Sequence, residues 1–404
     1  MAMRKGFVFL AAALLLVGGC ANPVRQPGVP LDLTAKAMPY GMPENSRFWP
    51  ALEPKEMIDE GFASLSREQA ARKSASLPPA NFLAISGGGD NGAFGAGLLV
   101  GWSESGTRPE FKVVTGVSTG ALSAPFAFLG SEYDPQLKAV YTTVKASDIF
   151  TPRGYLAAIN DDAMADTLPL FKTVERFITP ELLQRIAAEY AKGRLLLIGT
   201  TNLDALQPVI WNIGAIAASG KPEAVLLVRK ILMASSAIPG AFPPVLIDVE
   251  MDGKRYQEMH VDGGAMAQVF LYPPSLRLSE TARATGIDRQ RHAYVIRNAR
   301  LDSDWASVER NTLTIVNRAI GSLIQTQGMG DLYRIYLTTQ QDGVDFNLAF
   351  IAPDFDVKYT EPFEPAYMGA LYDYGYRLAK SGYPWRKVPP GISPSLQIRA
   401  DARR

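Results

Sequence analysis

The sequence Phe111-Lys-Val-Val-Thr-Gly-Val-Ser-Thr-Gly-Ala-Leu-Ser123 combines a short strand, a tight turn and the start of a helix. The β-branched run at 113–115 favours a strand, and the small residues after Gly120 suit a helix. Between them, Gly116-Val-Ser-Thr-Gly120 has the spacing of a nucleophile elbow, because the two glycines remove Cβ atoms that would clash in the turn. The pattern predicts that Ser118 lies at the end of a strand, above a helix N-terminus that favours negative charge.

A second glycine turn precedes this elbow. Asn81-Phe-Leu-Ala-Ile85 is a continuous apolar run typical of a strand that is buried on both faces of a parallel sheet. It leads into Ser86-Gly-Gly-Gly-Asp-Asn-Gly92 and then into a helical pattern through Trp102. Two neighbouring units of strand, glycine turn and helix indicate a βαβ arrangement, so the sequence predicts an α/β fold with a mostly parallel sheet.

Size and composition limit the functions that are open to the chain. Its 404 residues are 47% hydrophobic, with a net charge of +1, which is enough for a three-layer core and lacks the basic excess of a nucleic-acid-binding protein. The single cysteine, Cys20, excludes an intrachain disulfide. No spacing of His, Cys and carboxylate residues indicates a metal site, and we expect neither a metal nor a cofactor.

The N-terminus has the order of an export signal. Arg4-Lys5 precede an apolar run over 6–17, followed by Gly18-Gly19-Cys20. Val17-Gly-Gly-Cys20 resembles the lipobox of bacterial lipoproteins, and this resemblance implies a signal peptide over 1–19, cleavage before Cys20 and lipidation of its thiol. The expected location is the cell envelope, periplasmic or at the outer membrane in a Gram-negative cell. A plain signal peptide with an incidental cysteine is the alternative.

Composition also divides the rest of the chain. Residues 20–80 are rich in proline and lack a sustained apolar period, so we predict a partly ordered tether, a main domain over 81–385 and a C-terminal tail over 386–404. Within the tether, Phe48-Trp49 could dock on the main domain. The spacing Ser66-Arg-Glu-Gln69 is that of a capping box and predicts the start of a short helix.

A third motif completes a possible acyl-transfer site. Asp252-Gly253 is a favoured hairpin dipeptide, and the hairpin that it closes leads to Asp262-Gly-Gly264. In chain order the sequence therefore offers a glycine loop for oxyanion binding, an elbow serine as nucleophile, and an aspartate as base.

These three motifs together resemble the patatin-like phospholipases, most clearly over 81–264. The resemblance implies a three-layer α/β/α fold and a dyad in which Ser118 is the nucleophile and Asp262 the general base. It also implies an acyl-enzyme and a lipid ester as substrate. The membrane is expected as a partner through the lipidated N-terminus. The positions that match the family motifs are Gly87, Gly88 and Gly89 for the oxyanion hole, with Gly92, Gly116, Gly120, Gly263 and Gly264 in support.

Two positions depart from the family pattern. Ser86 stands where the family usually has Asp, and Asn91 where it has Arg or Lys, so a cation that could pair with a lipid phosphate is missing. The sequence therefore predicts ester hydrolysis more strongly than a preference for phospholipids. We also expect Asp262 to be desolvated, because an exposed carboxylate is a weak base for a serine hydroxyl. Phe94, Phe126, Phe128 and the 238–244 loop are candidates for lining an acyl pocket.

Other interpretations use the same residues. A Ser118, Asp262 and His292 triad would need His292 near the nucleophile, but it comes at the start of its predicted strand; His260 is closer, and we interpret it as a supporting or surface residue. The spacing Gly87-x-Gly-x-x-Gly92 also fits a dinucleotide fingerprint, although the second strand lacks the acidic residue that would hold a ribose. A non-catalytic envelope lipoprotein on the same scaffold is the third interpretation.

Overall fold

The computed structural model describes residues 25–72, 76–154, 161–287, 289–302 and 305–392. The predicted signal peptide and Cys20 lie outside the described residues. The strands are β1 Met38–Pro39, β2 Arg47–Phe48, β3 Ala80–Ile85, β4 Val113–Val117, β5 Thr151–Pro152, β6 Ala165–Asp166, β7 Leu195–Asn202, β8 Gln207–Asn212, β9 Val245–Met251, β10 Lys254–Asp262, β11 Arg291–Arg300 and β12 Asp345–Ile351. The α-helices are α1 Pro54–Arg72, α2 Gly92–Glu104, α3 Thr119–Leu129, α4 Asp134–Thr142, α5 Leu168–Phe177, α6 Pro180–Ala191, α7 Ile213–Ala218, α8 Glu223–Ser235, α9 Leu278–Thr285, α10 Thr312–Asp342 and α11 Pro365–Lys380.

The central sheet has the order β1-β9-β10-β7-β4-β3-β11-β12. Strand β8 pairs with the edge of β7 that β4 and β10 leave free, and β2 pairs with β8. The five strands from β7 to β12 along this order run parallel, whereas β8, β9 and β10 join antiparallel. Successive side chains of β3 enter different cores: Leu83 and Ile85 pack with α2 and α3, and Phe82 and Ala84 with α10. Helices therefore cover both faces, and the predicted α/β class with three layers is confirmed.

The edge of β7 explains how two distant parts of the chain meet. On that edge β4 pairs only as far as Val117 with Gly199, and β10 takes over one residue later, pairing Asp262 with Thr200. The C-terminal ends of β4 and β10 therefore lie next to each other along this one edge of β7. This junction places the residue that follows β4 beside the last residue of β10.

Much of the segment predicted as a tether packs on the main sheet. Phe48 and Trp49 are almost fully buried, and β2 pairs with β8. Helix α1 runs from Pro54 to Arg72, so the predicted helix start at Ser66 is wrong: Ser66 lies in the helix interior, where its hydroxyl donates to the carbonyl of Phe62. The apolar contacts of Met57 with the sheet stabilise a helix that starts more than three turns earlier than the capping pattern predicts.

The C-terminal third adds two strands and the longest helix. β11 lies beside β3 in parallel, α10 returns along the sheet, and β12 pairs with β11. Helix α11 packs closely on α2, where the carbonyl of Tyr372 leaves no room for a Cβ at Gly97. Among the described helices, none combines the length and the apolar character needed to span a bilayer.

Candidate active site

Ser118 occupies a strained turn between β4 and α3. Its backbone has φ 55° and ψ −126°, a conformation that residues with a Cβ rarely adopt. The turn is crowded, because a Cβ at Gly116 would lie 2.8 Å from Cα of Ala121 and one at Gly120 would lie 2.7 Å from the carbonyl oxygen of Ser86. Both elbow glycines are thus required by close backbone approach, as the sequence predicts, and the Ser118 residue is 7% exposed.

Ser118 and Asp262 form a hydrogen-bonded pair. The hydroxyl of Ser118 donates to the carboxylate of Asp262, which also accepts the N–H of Gly264 at 2.7 Å. Asp262 is buried, and burial raises the pKa of its carboxyl from 3.8 to about 6, against the two hydrogen bonds that lower it. The result is a desolvated carboxylate that is a stronger base than an exposed one and is directed at the serine proton.

The two glycines after Asp262 let this strand end approach the elbow. A Cβ at Gly263 would lie 2.5 Å from the carbonyl oxygen of Gly199, and one at Gly264 would lie 2.7 Å from Nε2 of Gln268. A side chain at Gly263 would therefore push the end of β10 away from β7, and one at Gly264 would displace the side chain of Gln268. Close packing here keeps Asp262 within hydrogen-bonding distance of Ser118.

The backbone N–H groups of Gly88 and Gly89 are available to the site, whereas that of Gly87 makes a hydrogen bond within the protein. The N–H of Gly87 donates to the carbonyl of Gln268 at 3.1 Å, so Gly87 is engaged and does not fit the predicted role of oxyanion donor in this arrangement. Gly88 has φ 155° and Gly89 has φ 57°, and for their N–H groups no acceptor is found in the described part of the chain. These two amides fit the oxyanion role that the sequence assigns to the loop.

Residues that the sequence did not reveal hold the loop and the elbow. Asn298, at the end of β11, donates its backbone N–H to the hydroxyl of Ser86 at 2.8 Å and its side-chain amide to the Ser86 carbonyl at 3.0 Å. Its own carbonyl fills the space that a Cβ on Gly88 would need. Ser235, at the end of α8, accepts the N–H of Ser118 at 2.9 Å and donates to the carbonyl of Gly199 at 2.7 Å. Ser235 is the last residue of α8, and nothing in its local pattern indicates this contact.

The residues at the far end of the loop pack against the body instead of facing a charged ligand. Gly92 leaves room for Thr119 and Tyr141, whose hydroxyls are 2.7 Å apart. Asn91 accepts from the hydroxyl of Tyr367 at 2.8 Å. Asp90 is buried, and burial raises the pKa of its carboxyl, against the hydrogen bond from the N–H of Phe363. Position 91 therefore supplies an uncharged contact in this chain.

Two apolar cavities adjoin the glycine loop at Gly89. The smaller, of about 60 Å³, lies between α3, α4 and α5 and is lined by Phe126, Phe177 and Leu232 among others. The larger is an open groove of about 660 Å³ lined by Phe150, Ile238, Ala241, Phe242 and Phe363, with Arg153 as its cation. Phe126 and the 238–242 part of the loop thus line the space beside the site. Phe94 and Phe128 do not; they are buried in the core.

Neither histidine takes part in the site. His260 is fully buried and hydrogen-bonds through Nδ1 to the hydroxyl of Thr200 and through Nε2 to the carboxylate of Glu258, each at 3.0 Å. It is therefore a supporting residue in the core, not a surface one. His292 pairs in register with Asn81 at the beginning of β3, at the end of the parallel strands opposite to Ser118, and binds Asp345 at 3.2 Å.

Titratable side chains that could bind a metal do not cluster in the described ranges. No group of three or more His, Cys, Asp or Glu side chains there has an arrangement that could hold an ion. The groups of the described site that can take part in a reaction are therefore its serine hydroxyl, its carboxylate and its backbone amides.

Comparisons with known proteins agree with this geometry. Residues 83–273 match the family model described as patatin-like phospholipase, which supports the patatin family and a lipid hydrolase. The matched segment contains the glycine loop, Ser118 and Asp262. No curated protein sequence matches the chain.

Two solved structures also show similarity to the chain. VipD from Legionella pneumophila is 12% identical, with a TM-score of 0.39, over 76% of this chain and 66% of that chain. Human GIVD cytosolic phospholipase A2 is 10% identical, with a TM-score of 0.28, over 79% of this chain and 55% of that chain. The chain thus spans just under two thirds of the first and just over half of the second.

Proposed function

We propose that this chain, whose residues 83–273 match the patatin-like phospholipase model, hydrolyses carboxylic esters of lipids through an acyl-enzyme on Ser118. The observation that carries the proposal is the hydrogen bond from the Ser118 hydroxyl to a buried carboxylate whose pKa is raised to about 6. A carboxylate with this pKa is ionised at neutral pH and still basic enough to accept the serine proton as attack proceeds.

Acylation begins when Oγ of Ser118 attacks the ester carbonyl carbon while Asp262 takes the hydroxyl proton. The carbonyl oxygen becomes an oxyanion, which the N–H groups of Gly88 and Gly89 stabilise together with the positive end of α3. Collapse of the tetrahedral intermediate breaks the ester C–O bond, and Asp262 returns its proton to the leaving alcohol. The acyl group then remains on Ser118.

Deacylation repeats these steps with water as the nucleophile. Asp262 takes a proton from the water as its oxygen attacks the acyl carbon, and the same amides bind the second oxyanion. Collapse breaks the bond to Oγ, and the proton on Asp262 returns to Ser118. Ser235 is a positioning residue in both halves, because its hydroxyl accepts the N–H of Ser118 and so fixes the strained turn.

The substrate class follows from the surroundings of the loop. The two apolar cavities that meet at Gly89 suit an acyl chain better than a polar group. Asn91 is uncharged and bound to Tyr367, whereas Arg153 lines the open groove. We therefore infer a lipid ester as substrate, phospholipid or neutral, with any phosphate bound near Arg153 and not at position 91.

Two other interpretations receive less support. Dinucleotide binding would need free amides along the whole glycine loop, but the N–H of Gly87 donates to Gln268, and an acid at the end of β4 is replaced by Ser118. An inert envelope lipoprotein would have no need for a strained serine bound to a desolvated carboxylate.

For the N-terminus we infer export and lipid attachment at Cys20 from the lipobox resemblance alone. A mature chain that begins at Cys20 and carries the mass of acyl groups is the expected result of intact-mass measurement on membrane-extracted protein. An unmodified N-terminal cysteine would contradict this inference.

The test of the proposed function is covalent labelling and turnover. We expect a fluorophosphonate to label Ser118 in the full chain, and Ser118→Ala to lower hydrolysis of a dissolved short-chain ester by about 10⁴-fold or more. His260→Ala is the matched control: it removes a buried side chain on β10, two residues before Asp262, and we expect its folded fraction to keep turnover within about threefold of the wild type. Turnover that survives Ser118→Ala would rule out the mechanism, and turnover abolished by His260→Ala would indicate a triad.

A further inference from the structure

The first half of α10 and the loop before it form an unusual surface. Seven large apolar side chains there are exposed, with Trp305 at 85% and Leu323 at 70%. We call this set the 305–324 surface; its members are Trp305, Val308, Ile315, Val316, Ile320, Leu323 and Ile324. So many neighbouring apolar side chains in water mark an interaction site more often than an ordinary surface.

The first half of α10 exposes its apolar face and packs its polar face against the protein. At 100° per residue, the exposed apolar positions from Ile315 to Ile324 fall within half of the helix circumference. The opposite side holds Thr314, Arg318 and Gln325, and each of these three residues is partly buried. Gln325 donates its side-chain amide to the carbonyls of Arg300 and Asp302 at 3.5 and 3.3 Å. The polar side thus faces the protein and the apolar side faces outward, the reverse of a core-packing helix.

The topology places this surface at the catalytic edge. β11 is parallel to β4 through β3, so its C-terminal end lies at the same edge of the sheet as Ser118. Asn298, two residues before the end of β11, contacts Gly88. In the second half of α10, Asp331 accepts the N–H of Gln268, which lies next to the dyad. Residues 312–327 therefore project about 24 Å beyond that level, at 1.5 Å per residue.

The charges of this segment fit a lipid surface. Between 305 and 327 the chain has one acid, Glu309, against two bases, Arg310 and Arg318, and its other polar residues are uncharged. Neutral or anionic lipid head groups would meet no net repulsion there. An exposed Trp beside Leu and Ile is the composition of interfacial helices that lie in the plane of a bilayer.

We propose that the 305–324 surface docks on a lipid bilayer and holds the Ser118 edge of the sheet against the layer that contains the ester. The inference rests on the proposed function for the identity of the substrate, but the docking itself rests on the exposed side chains. A second copy of the chain on the same surface is the alternative occupant.

A site-specific label tests the docking. In the full chain with Cys20→Ser, Leu323→Cys provides the sole thiol for an environment-sensitive fluorophore; Leu337→Cys, exposed near the other end of the same helix, is the matched control. With vesicles of phosphatidylcholine and phosphatidylglycerol we expect a blue shift at position 323 and none at 337. No shift at 323, or an equal shift at both positions, would overturn the proposal. A shift without vesicles that grows with protein concentration would overturn it in favour of a second copy.

Turnover separates docking from chemistry. We expect Leu323→Glu to lower hydrolysis of vesicle ester at limiting lipid by about tenfold, equivalent to about 1.4 kcal/mol, because the variant loses the burial of one Leu side chain in the bilayer. Hydrolysis of a dissolved short-chain ester should stay at the wild-type rate, and Leu337→Glu should match the wild type on both substrates. Equal loss by Leu323→Glu on both substrates, or none on vesicles, would contradict docking. Absence of dissolved-ester turnover in the wild type would instead reject the proposed function and leave the label experiment valid.

Discussion

Strand β10 carries two buried carboxylates, Glu258 and Asp262, four residues apart and on the same face of the sheet. Burial acts to raise the pKa of Glu258, but Arg47 at 2.6 Å and His260 at 3.0 Å outweigh it, and that pKa falls to about 2. At Asp262 burial meets only two hydrogen bonds, and the pKa rises to about 6. The same strand thus holds one carboxylate that is permanently charged and one that can exchange a proton.

The pKa values of Glu258 and Asp262 differ because a cation contacts Glu258, not because the two carboxylates differ in burial. Desolvation disfavours the charged form of both groups, and a guanidinium in contact reverses this effect at one of them. Glu258 is consequently part of the architecture, because it joins the N-terminal segment to the sheet through Arg47. Asp262 keeps its basicity because no cation of the described chain contacts it. The contrast makes three predictions.

The largest expected effect is on turnover. Asp262→Asn removes the proton acceptor while it keeps the shape of the side chain, so we expect ester turnover to fall by about 10⁴-fold. Glu258→Gln is the matched change on the same strand, and we expect its folded fraction to retain turnover within about threefold of the wild type. Single-turnover kinetics on a dissolved ester check both variants. Comparable losses in the two would break the distinction between a basic and a structural carboxylate.

The second expected effect is on folding stability, and here Glu258→Gln is the harmful substitution. Glu258→Gln leaves Arg47 charged in the core, where the residue is 1% exposed, so we expect the free energy of unfolding to fall by about 3–5 kcal/mol. Arg47→Met combined with Glu258→Gln removes the orphaned charge and should recover a large part of that loss. Urea denaturation at neutral pH measures both variants. A double variant less stable than Glu258→Gln would show that the cation is not the source of the cost.

The smallest effect concerns stability and pH at Asp262. Because its pKa is raised from 3.8 to about 6 in the folded chain, the folded state binds the proton more tightly, and the wild type loses stability as pH rises from 3.8 to 6. The loss amounts to about 3 kcal/mol and is constant above pH 6. Asp262→Asn lacks this titration, so we expect it to be more stable than the wild type at pH 8 by about that amount.

Denaturation midpoints between pH 4 and pH 8 check this prediction. The gap in stability between Asp262→Asn and the wild type should widen up to about pH 6 and then remain level. Glu258→Gln serves as the control of opposite sign, because it should be the less stable protein throughout this range. A gap that is already full at pH 4 would mean that the carboxyl titrates as an ordinary exposed aspartate.

The sequence predicted the chemistry of this strand only in part. Asp262-Gly-Gly264 identifies the end of β10 as a place of close backbone approach, and the same reasoning applies to the elbow at Ser118. These features are readable because a tight turn demands glycine at fixed spacing from the residue that it presents. The hydrophobic run of β3 likewise predicts a buried parallel strand.

The partners of those residues could not be predicted in the same way. Arg47 comes from a proline-rich segment and meets Glu258, 211 positions away along the chain. Asn298 and Gln268 both contact the glycine loop, and the carbonyl of Gln268 accepts the N–H of Gly87. Contacts between distant residues leave no period and no local motif, so neither the roles of these side chains nor the length of α1 follow from a pattern.

By itself, then, the sequence determined the class of the fold, the strained serine and the candidate aspartate, since each depends on short-range backbone geometry that glycine and apolar residues encode. Only the tertiary structure decided which carboxylate of β10 gains a cation, which amides of the loop remain available, and which side of α10 faces outward. The physical reason is that desolvation and charge pairing are set by neighbours in space, and these neighbours come from parts of the chain that are far apart in sequence.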